Sequence, residues 1–212
     1  MISEDQYTRY LETLLQGDGR QCKAIVTELL AKGEPPALLY TDLFQKALYR
    51  IGELWEQNRV SVAVEHLATA ITERLLAIVY PTLLSSTKRH GRKAVIACSA
   101  NEYHQIGARM VADIMESRGW DIFFVGANAP TDDLLSLIDY TMPEYLGISV
   151  SMDFNLVNLR GLIDRVRTSY PQLDILVGGQ AFRRGGADNV RAYSRIEYIE
   201  SLEVLSEFIT QR

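Results

Sequence analysis

The chain has 212 residues, of which 47% are hydrophobic and 23% charged, as is typical of a globular protein with one large domain or two smaller ones. Its formal net charge of -5 and the lack of a long basic run argue against a general nucleic-acid-binding surface. No apolar stretch is long enough to cross a bilayer and no signal peptide is recognisable, so we expect a cytoplasmic protein. Cys22 and Cys98 are expected to be buried thiols, not a disulfide or a zinc site.

Residues 1–88 carry helical patterns separated by short breaks. The first two helices are amphipathic and lie on either side of a Gly-Asp-Gly break. Pro35-Pro36 opens a third helix, whose apolar positions, up to Trp55, are expected to face inward. Ser61 is expected to cap a fourth helix that runs towards Leu84. Four amphipathic helices with short connections predict a four-helix bundle.

One end of the predicted bundle carries polar and aromatic side chains that suggest more than a scaffold. Trp55 ends the third helix, and Glu65 and His66 lie in the first turns of the fourth. The short intervening turn would bring the three residues to one end of the bundle. On this segment alone, the favoured interpretation is a packed Trp, a Glu stabilised by the helix dipole and a half-buried His.

Beyond a polar linker at Ser85–Arg92, the pattern over residues 92–212 alternates between strands and helices. The expected strands are Lys93–Ser99, Trp120–Gly126, Tyr145–Ser151, Asp174–Gly178 and Ile196–Ile199. The expected helices are Gln105–Arg118, Thr131–Tyr140, Leu156–Ser169, Ala187–Tyr193 and Leu202–Gln211. This alternation predicts an α/β domain with a flavodoxin-like, Rossmann-like doubly wound five-stranded parallel sheet. The pair Arg183-Arg184 is expected to be solvated.

Unusual residues follow three of these strands. The loop after the first strand reads Glu102-Tyr103-His104-Gln105-Ile106-Gly107, in which a carboxylate two residues before an imidazole can orient it as a metal ligand. The third strand ends in Ser149-Val150-Ser151, with both serines expected on one face, and the fourth in Gly178-Gly179, which leaves bare backbone for a ligand. Carboxyl ends of parallel strands share the edge where such folds bind ligands. Each feature alone is also common at ordinary strand ends.

Together these residues resemble the cobalamin-binding motif of base-off/His-on B12 proteins, whose usual pattern is Asp-x-His-x-x-Gly, Ser-x-Leu and Gly-Gly. In this chain the matching positions are Glu102, His104, Gly107, Ser149 and Gly178-Gly179. The bundle is similar to the cap module before that domain in methionine synthase and corrinoid methyl carriers. The resemblance covers essentially the whole chain.

The resemblance implies cobalamin as the cofactor, with His104 as the lower axial ligand of cobalt and Glu102 as the partner of that imidazole. It also implies a slot for the dimethylbenzimidazole tail, lined by Ser149, Val150, Ser151, Gly178 and Gly179. The chain departs from the usual pattern twice, since Glu stands for Asp at 102 and Ser for Leu at 151.

The bundle sharpens this resemblance, because Trp55 followed by Glu65 and His66 is similar to the signature of B12-dependent photoreceptors of the CarH/LitR type. It implies that Trp55 stacks over the 5′-deoxyadenosyl group, that Glu65 bonds to its ribose and that His66 lies near the upper face. Glu56 stands where those photoreceptors carry a cobalt-capturing His, so no bis-His light state through this position is expected. The sequence starts at the bundle instead of their helix-turn-helix domain, so we expect no direct DNA binding.

Three functions remain open at this point. A cobalamin-binding sensor would respond to light through Co–C bond cleavage and would signal through a homo-oligomer or a protein partner. A corrinoid protein would instead carry methyl groups for a methyltransferase system. The sensor is preferred, with adenosylcobalamin favoured over methylcobalamin and hydroxocobalamin, and the chain itself is not expected to be an enzyme. A flavodoxin-like response module without B12 is the third alternative.

Overall fold

The computed structural model describes residues 2–85, 87–183 and 185–210, and the chain divides into two compact units, Met1–Ser86 and Thr87–Arg212. Three sequence-based expectations involve residues outside the described ranges. They concern Ser86 in the linker, Arg184 in the arginine pair and Gln211 at the end of the last helix.

The first unit is helical. Its elements are α1 (Glu4–Leu15), α2 (Gly19–Ala31), α3 (Pro36–Leu38), a π-helical segment (Leu39–Gln45), α4 (Lys46–Glu56) and α5 (Val62–Leu83). Ser3 and Gln6 form a capping box at α1, and the Ser61 hydroxyl accepts a hydrogen bond from the Val64 N–H at the start of α5. The predicted third helix is thus a short turn, a π-helical segment and α4. The π-helical segment has four buried side chains, which are Leu39, Tyr40, Leu43 and Phe44.

The prediction that Trp55 faces the core is wrong. Its side chain is 37% exposed, whereas the preceding Leu54 is 7% exposed. The helical period explains the difference: Leu54 is seven residues after the buried Ala47 and therefore lies nearly in line with it, while Trp55 is rotated by roughly one further residue step of 100°. The indole therefore lies at the margin of the buried face of α4.

The second unit is a parallel sheet with helical connections. Its main elements are β1 (Lys93–Cys98), α6 (Ile106–Ser117), β2 (Asp121–Gly126), α7 (Thr131–Thr141), β3 (Tyr145–Ser149), α8 (Leu156–Ser169), β4 (Asp174–Gly178), α9 (Gln180–Arg183), β5 (Ile196–Tyr198) and α10 (Leu202–Thr210), with 3-10 turns at Asp153–Asn155 and Gly186–Asn189. The strand order is β2-β1-β3-β4-β5, and every pairing is parallel. The predicted doubly wound five-stranded fold is confirmed, and the carboxyl ends of β1, β3 and β4 share one edge.

Residues 187–193 do not form the predicted helix; a 3-10 turn lies at Gly186–Asn189 instead. Gly185 adopts a left-handed conformation at φ 97°, which interrupts any helix continuing from α9. The Asn189 amide also donates to the Gly186 carbonyl at 3.1 Å, and such local bonds compete with the helical pattern.

The buried residues agree with the expectations for the cysteines. Cys22 and Cys98 are both buried and free, and burial raises the pKa of the Cys98 thiol to about 12. Within the described ranges, no helix combines the length and apolar character needed to cross a membrane.

Candidate cofactor site

The loop after β1 holds the predicted carboxylate–imidazole pair. Glu102 is fully buried, while about half of the His104 side chain (48%) is exposed. Glu102 Oε1 lies 2.5 Å from His104 Nδ1 and also accepts a hydrogen bond from the His104 backbone N–H at 3.0 Å. Since an ionised carboxylate can only accept, Nδ1 carries the proton and Nε2 is the nitrogen suited to coordinate a metal. The expected contact between Glu102 and His104 is therefore confirmed.

The second oxygen of the same carboxylate binds the segment after β3. Glu102 Oε2 accepts hydrogen bonds from the backbone N–H groups of Ser151 at 2.9 Å and Met152 at 3.0 Å, and from Asn155 Nδ2 at 3.1 Å. These bonds replace strand pairing, so β3 ends at Ser149. The prediction that Ser149 and Ser151 share one face of a strand is therefore wrong, because Ser151 lies beyond the strand.

The environment of Glu102 keeps it ionised. Burial is the largest single influence on its pKa and by itself would raise it. The hydrogen bonds from His104, Met152 and Asn155 together outweigh burial and lower the pKa from 4.5 to about 2. At neutral pH the loop is therefore built around a buried negative charge that is satisfied by five hydrogen bonds.

Three asparagines, which the sequence reasoning missed, complete this network. Asn101 and Asn128 both adopt left-handed conformations, at φ 63° and 49°. The Asn101 N–H donates to Asn128 Oδ1 at 2.9 Å, and the Asn128 N–H donates to the Glu102 carbonyl at 2.8 Å. The amide of Asn155 donates to the Asn101 carbonyl at 3.2 Å. The available signal was the position of Asn101 and Asn128 just after strands, since Asn tolerates the left-handed region better than most residues.

The other predicted residues of this loop differ in exposure. Tyr103 is 67% exposed, whereas Ile106 is buried in the first turn of α6. Gln105 Oε1 accepts a hydrogen bond from the Ala127 N–H at 3.2 Å, which ties the loop to the segment after β2. A Cβ on Gly107 would lie 4.0 Å from Ser149 Oγ, so the ends of β1 and β3 do meet there.

The glycine pair at the end of β4 has a structural role of its own. Gly179 has φ 107°, and a Cβ at this position would lie 2.3 Å from the Val150 carbonyl oxygen. A Cβ on Gly178 would lie 3.0 Å from the Ile199 carbonyl oxygen. Close packing within the chain itself therefore requires glycine at 179. That the two glycines also line a cofactor slot stays a prediction.

The bundle residues form a second carboxylate–imidazole pair. Glu65 Oε2 lies 2.5 Å from His66 Nδ1, and Glu65 Oε1 accepts a hydrogen bond from the Thr69 hydroxyl at 3.1 Å. The Glu65 side chain is 19% exposed, whereas that of His66 is 72% exposed. The half-buried His of the simplest interpretation is therefore wrong: the imidazole lies at the surface because it follows the helix onto a solvated face. Trp55 belongs to the adjoining helix end, before the turn that joins α4 to α5.

The donor set fits a corrinoid cofactor better than a simple metal ion. Across the parts of the chain that the structure describes, no group of three or more His, Cys, Asp or Glu side chains is arranged to hold a metal. Cobalamin brings four corrin nitrogens with its cobalt and therefore needs only one protein ligand. A half-exposed imidazole whose second nitrogen is fixed by a buried carboxylate meets that need.

Comparison with known proteins agrees with this chemistry. Residues 6–80 and residues 92–197 each match a family model described as a B12 binding domain. The chain is 28% identical over 161 residues to the HTH-type transcriptional repressor CarH of Myxococcus xanthus, covering 75% of this chain and 52% of CarH. It is 21% identical over 194 residues to the trimethylamine corrinoid protein of Methanosarcina barkeri, covering 89% of each.

Among solved structures, the monomethylamine corrinoid protein of Methanosarcina barkeri has a TM-score of 0.85 at 14% identity and covers 98% of both chains. This likeness supports the fold. The chain spans about half the length of CarH and of the related repressor CarA of the same organism. Since the two family models cover most of its length, the chain belongs to the family of B12-binding proteins.

Proposed function

We propose that this chain is a cobalamin-binding sensor that holds adenosylcobalamin with His104 as the lower ligand and changes its oligomer or its partner binding after illumination. The observation that carries the proposal is the exposed indole of Trp55 at the end of α4, next in sequence to a leucine that fills the core. An exposed tryptophan is a favourable surface for a flat, apolar ligand group. The methyl group of methylcobalamin is too small to stack on the face of an indole.

The lower ligand is proposed from the geometry of the β1–α6 loop. Glu102 fixes Nδ1 of His104, so Nε2 would bind cobalt in place of the dimethylbenzimidazole base. The displaced tail would enter the slot predicted at Ser149–Ser151 and Gly178-Gly179. Because Glu102 is already satisfied by its own hydrogen bonds, the loop does not need to reorganise when the cofactor binds.

The upper group is proposed to contact the bundle. Trp55 would stack on the adenine, a type of contact that is worth about 1–3 kcal/mol. Glu65 would accept a hydrogen bond from a ribose hydroxyl, and its orientation is already held by Thr69 and His66. When bound, adenosylcobalamin supplies a cobalt–carbon bond that light cleaves. Loss of the adenosyl group would remove the packing partner of Trp55 and change the surface at that end of the bundle.

The similarity to CarH supports a sensor, because it is 28% identity compared with 21% for the trimethylamine corrinoid proteins. The chain differs from the photoreceptor pattern at Glu56, a poor cobalt ligand. We therefore do not expect residue 56 to hold cobalt in the illuminated protein.

The test is to load the purified chain with adenosylcobalamin in the dark and to record its absorption spectrum and its mass in solution before and after green light. A sensor changes both the spectrum and the mass, or the binding of a partner. Hydroxocobalamin is the control, since it lacks the photolabile bond and should show neither change. An unaltered spectrum and mass after illumination of the adenosyl form would contradict the proposal.

A methyl carrier is the second candidate. It is favoured by the trimethylamine corrinoid proteins, which the chain matches over 89% of both lengths. Competition between adenosylcobalamin and methylcobalamin separates the two functions. A sensor prefers the adenosyl form, whereas a carrier binds both equally and accepts a methyl group when it is reduced.

A further inference from the structure

We infer that Asn155 is a positioning residue for His104, which acts through Glu102 to hold the imidazole in the tautomer that presents Nε2 to cobalt. The inference rests on the proposed role of His104 as the lower ligand. It adds to that role a side chain that lies 51 positions further along the chain (155 − 104) and belongs to the segment after β3. Asn155 does not contribute to any of the motifs identified in the sequence.

Hydrogen bonds at both ends of the Asn155 side-chain amide fix its orientation. The residue is 2% exposed and ends the 3-10 turn Asp153–Asn155 that precedes α8. Its Nδ2 donates to Glu102 Oε2 at 3.1 Å and to the Asn101 carbonyl at 3.2 Å, while its Oδ1 accepts from Asn158 Nδ2 at 3.4 Å. Two acceptors beside Nδ2 and one donor beside Oδ1 leave a single orientation of the amide.

The carboxylate of Glu102 transmits this orientation. Its two oxygens divide their partners, because Oε1 binds His104 whereas Oε2 binds Asn155 and the backbone of Ser151 and Met152. Backbone donors hold the carboxylate in place but cannot be changed by a side-chain substitution. Asn155 is the one side chain that holds Oε2 within the described ranges, so it is the site at which the orientation of Glu102 can be altered without removing Glu102 or His104.

A matched control lies three residues further on, in the first turn of α8. Asn158 Nδ2 donates to the Ala100 carbonyl at 3.0 Å, so it ties the same β1–α6 loop through the same kind of bond. Asn158 does not bind the Glu102 carboxylate. Asn158→Ala therefore removes this loop contact and also the longer bond, at 3.4 Å, to Asn155 Oδ1. It leaves the carboxylate with all five of its hydrogen bonds, and the two acceptors beside Asn155 Nδ2 still orient that amide.

The sharpest variant is Asn155→Asp, which keeps the shape of the side chain but replaces a donor with a second carboxylate beside Glu102. Repulsion between the two carboxylates should displace Glu102 Oε2 and weaken the hydrogen bond between Glu102 Oε1 and His104 Nδ1. Asn155→Ala, which only removes the donor, gives a milder version of the same change. If Asn155→Asp does not fold, the comparison of Asn155→Ala with Asn158→Ala carries the test.

The first measurement uses the cofactor-free protein and does not depend on cobalamin. ¹⁵N-labelled imidazoles report their tautomer directly, and the chain has only 3 His, so His104 can be assigned with His104→Gln. We expect a pure Nδ1–H tautomer at His104 in the wild type and in Asn158→Ala, and a mixed tautomer in Asn155→Asp and Asn155→Ala. An unmixed Nδ1–H tautomer in both Asn155 variants would overturn the inference.

The second measurement is the affinity for hydroxocobalamin. Loss of a partner that orients a metal ligand typically weakens metal binding 10–100-fold, so we expect about that loss in Asn155→Asp and less than about threefold in Asn158→Ala. Equal losses in the two variants would overturn the inference, since they would reflect general loosening of the loop. If wild-type protein binds cobalamin without an imidazole ligand, the proposed function fails; the tautomer measurement still decides the link from Asn155 to His104.

Discussion

The two units each contain a carboxylate paired with a histidine, and the two pairs have the same separation of 2.5 Å. Glu102 is buried, and five hydrogen bonds from two segments, the loop after β1 and the segment after β3, fix its position. Glu65 has fewer supports and faces a His66 that is 72% exposed. The comparison shows that an equal distance does not mean an equal environment. Glu102 lies inside a buried hydrogen-bond network, whereas Glu65 bonds to His66 and Thr69 beside an imidazole that is open to solvent.

This difference matches the two tasks that we propose. A cobalt ligand must be in one protonation and tautomer state and one position, because the metal–nitrogen bond tolerates little displacement. Contacts to the upper group must instead exist in one state of the sensor and be lost in the other. A partly exposed Trp55 and a surface His66 suit the second need, since both are open to solvent and a bound group would cover them.

The largest expected effect comes from removing the ligand itself. His104→Ala should lower the affinity for cobalamin by at least about 100-fold, because even the loss of an orienting partner costs about 10–100-fold. It should also abolish the spectral signature of axial imidazole. His66→Ala is the matched control, and it should leave the lower-ligand signature intact. Equal spectra for His104→Ala and the wild type would remove His104 from the site.

The next effect compares the two carboxylates directly. Glu102→Gln should lower the free energy of unfolding by about 3 kcal/mol, because the amide must turn its NH₂ towards one of the two sets of hydrogen-bond donors. Glu65→Gln should change it by no more than about 1 kcal/mol, because the amide oxygen can still accept a hydrogen bond from the Thr69 hydroxyl. Urea unfolding of both variants gives the comparison, and similar values for the two would show that Glu102 is not the centre of the loop.

The pH dependence follows from the same carboxylate. The folded-state pKa of Glu102 is lowered from 4.5 to about 2, so its contribution to stability is complete above the higher value and is lost as the pH falls towards the lower one. The loss amounts to about 3 kcal/mol. Unfolding measured between pH 6 and about pH 2 should show this loss in the wild type and a smaller one in Glu102→Gln. Parallel profiles for the two proteins would contradict the assignment.

A smaller effect is expected from the bundle. Trp55→Ala should weaken adenosylcobalamin binding about 10- to 100-fold, as expected for the loss of a stacking contact, and should leave hydroxocobalamin binding unchanged. Leu54→Ala is the control from the next position: it should destabilise the fold by about 2–5 kcal/mol without changing the preference between the two cobalamins. Equal losses for both cobalamins in Trp55→Ala would mean that Trp55 serves only the packing of the bundle.

Much of the architecture could be predicted from periodic patterns. The bounds of β4 and α8 agree with the expectations at both ends, since each is a regular apolar repeat between clear breaks. The Glu102–His104 contact was also predictable, because the two residues are near in sequence and belong to a known pattern. Trp55, by contrast, was wrongly assigned to the core. It lies one helical position beyond the buried Leu54, and the apolar periodicity does not resolve so small a rotation at the margin of the buried face.

The Asn155 contact could not have been predicted, because it joins residues that are 53 positions apart. In a sequence, an asparagine before a helix predicts a turn or a helix cap. That prediction gives no reason to look for a distant partner of its side chain. The end of β3 was misjudged for the same reason, since Ser151 and Met152 bond to a distant carboxylate and not to a strand. Short-range patterns do not encode such partners.

The most direct test of the central claim is electron paramagnetic resonance of the protein loaded with the Co(II) form of cobalamin, prepared with ordinary and with ¹⁵N-labelled histidine. If His104 binds cobalt, the three-line nitrogen splitting of the wild type becomes two lines on labelling, and it is absent in His104→Ala. A three-line splitting that labelling leaves unchanged would show that the cofactor's own base stays on the metal and would contradict the account.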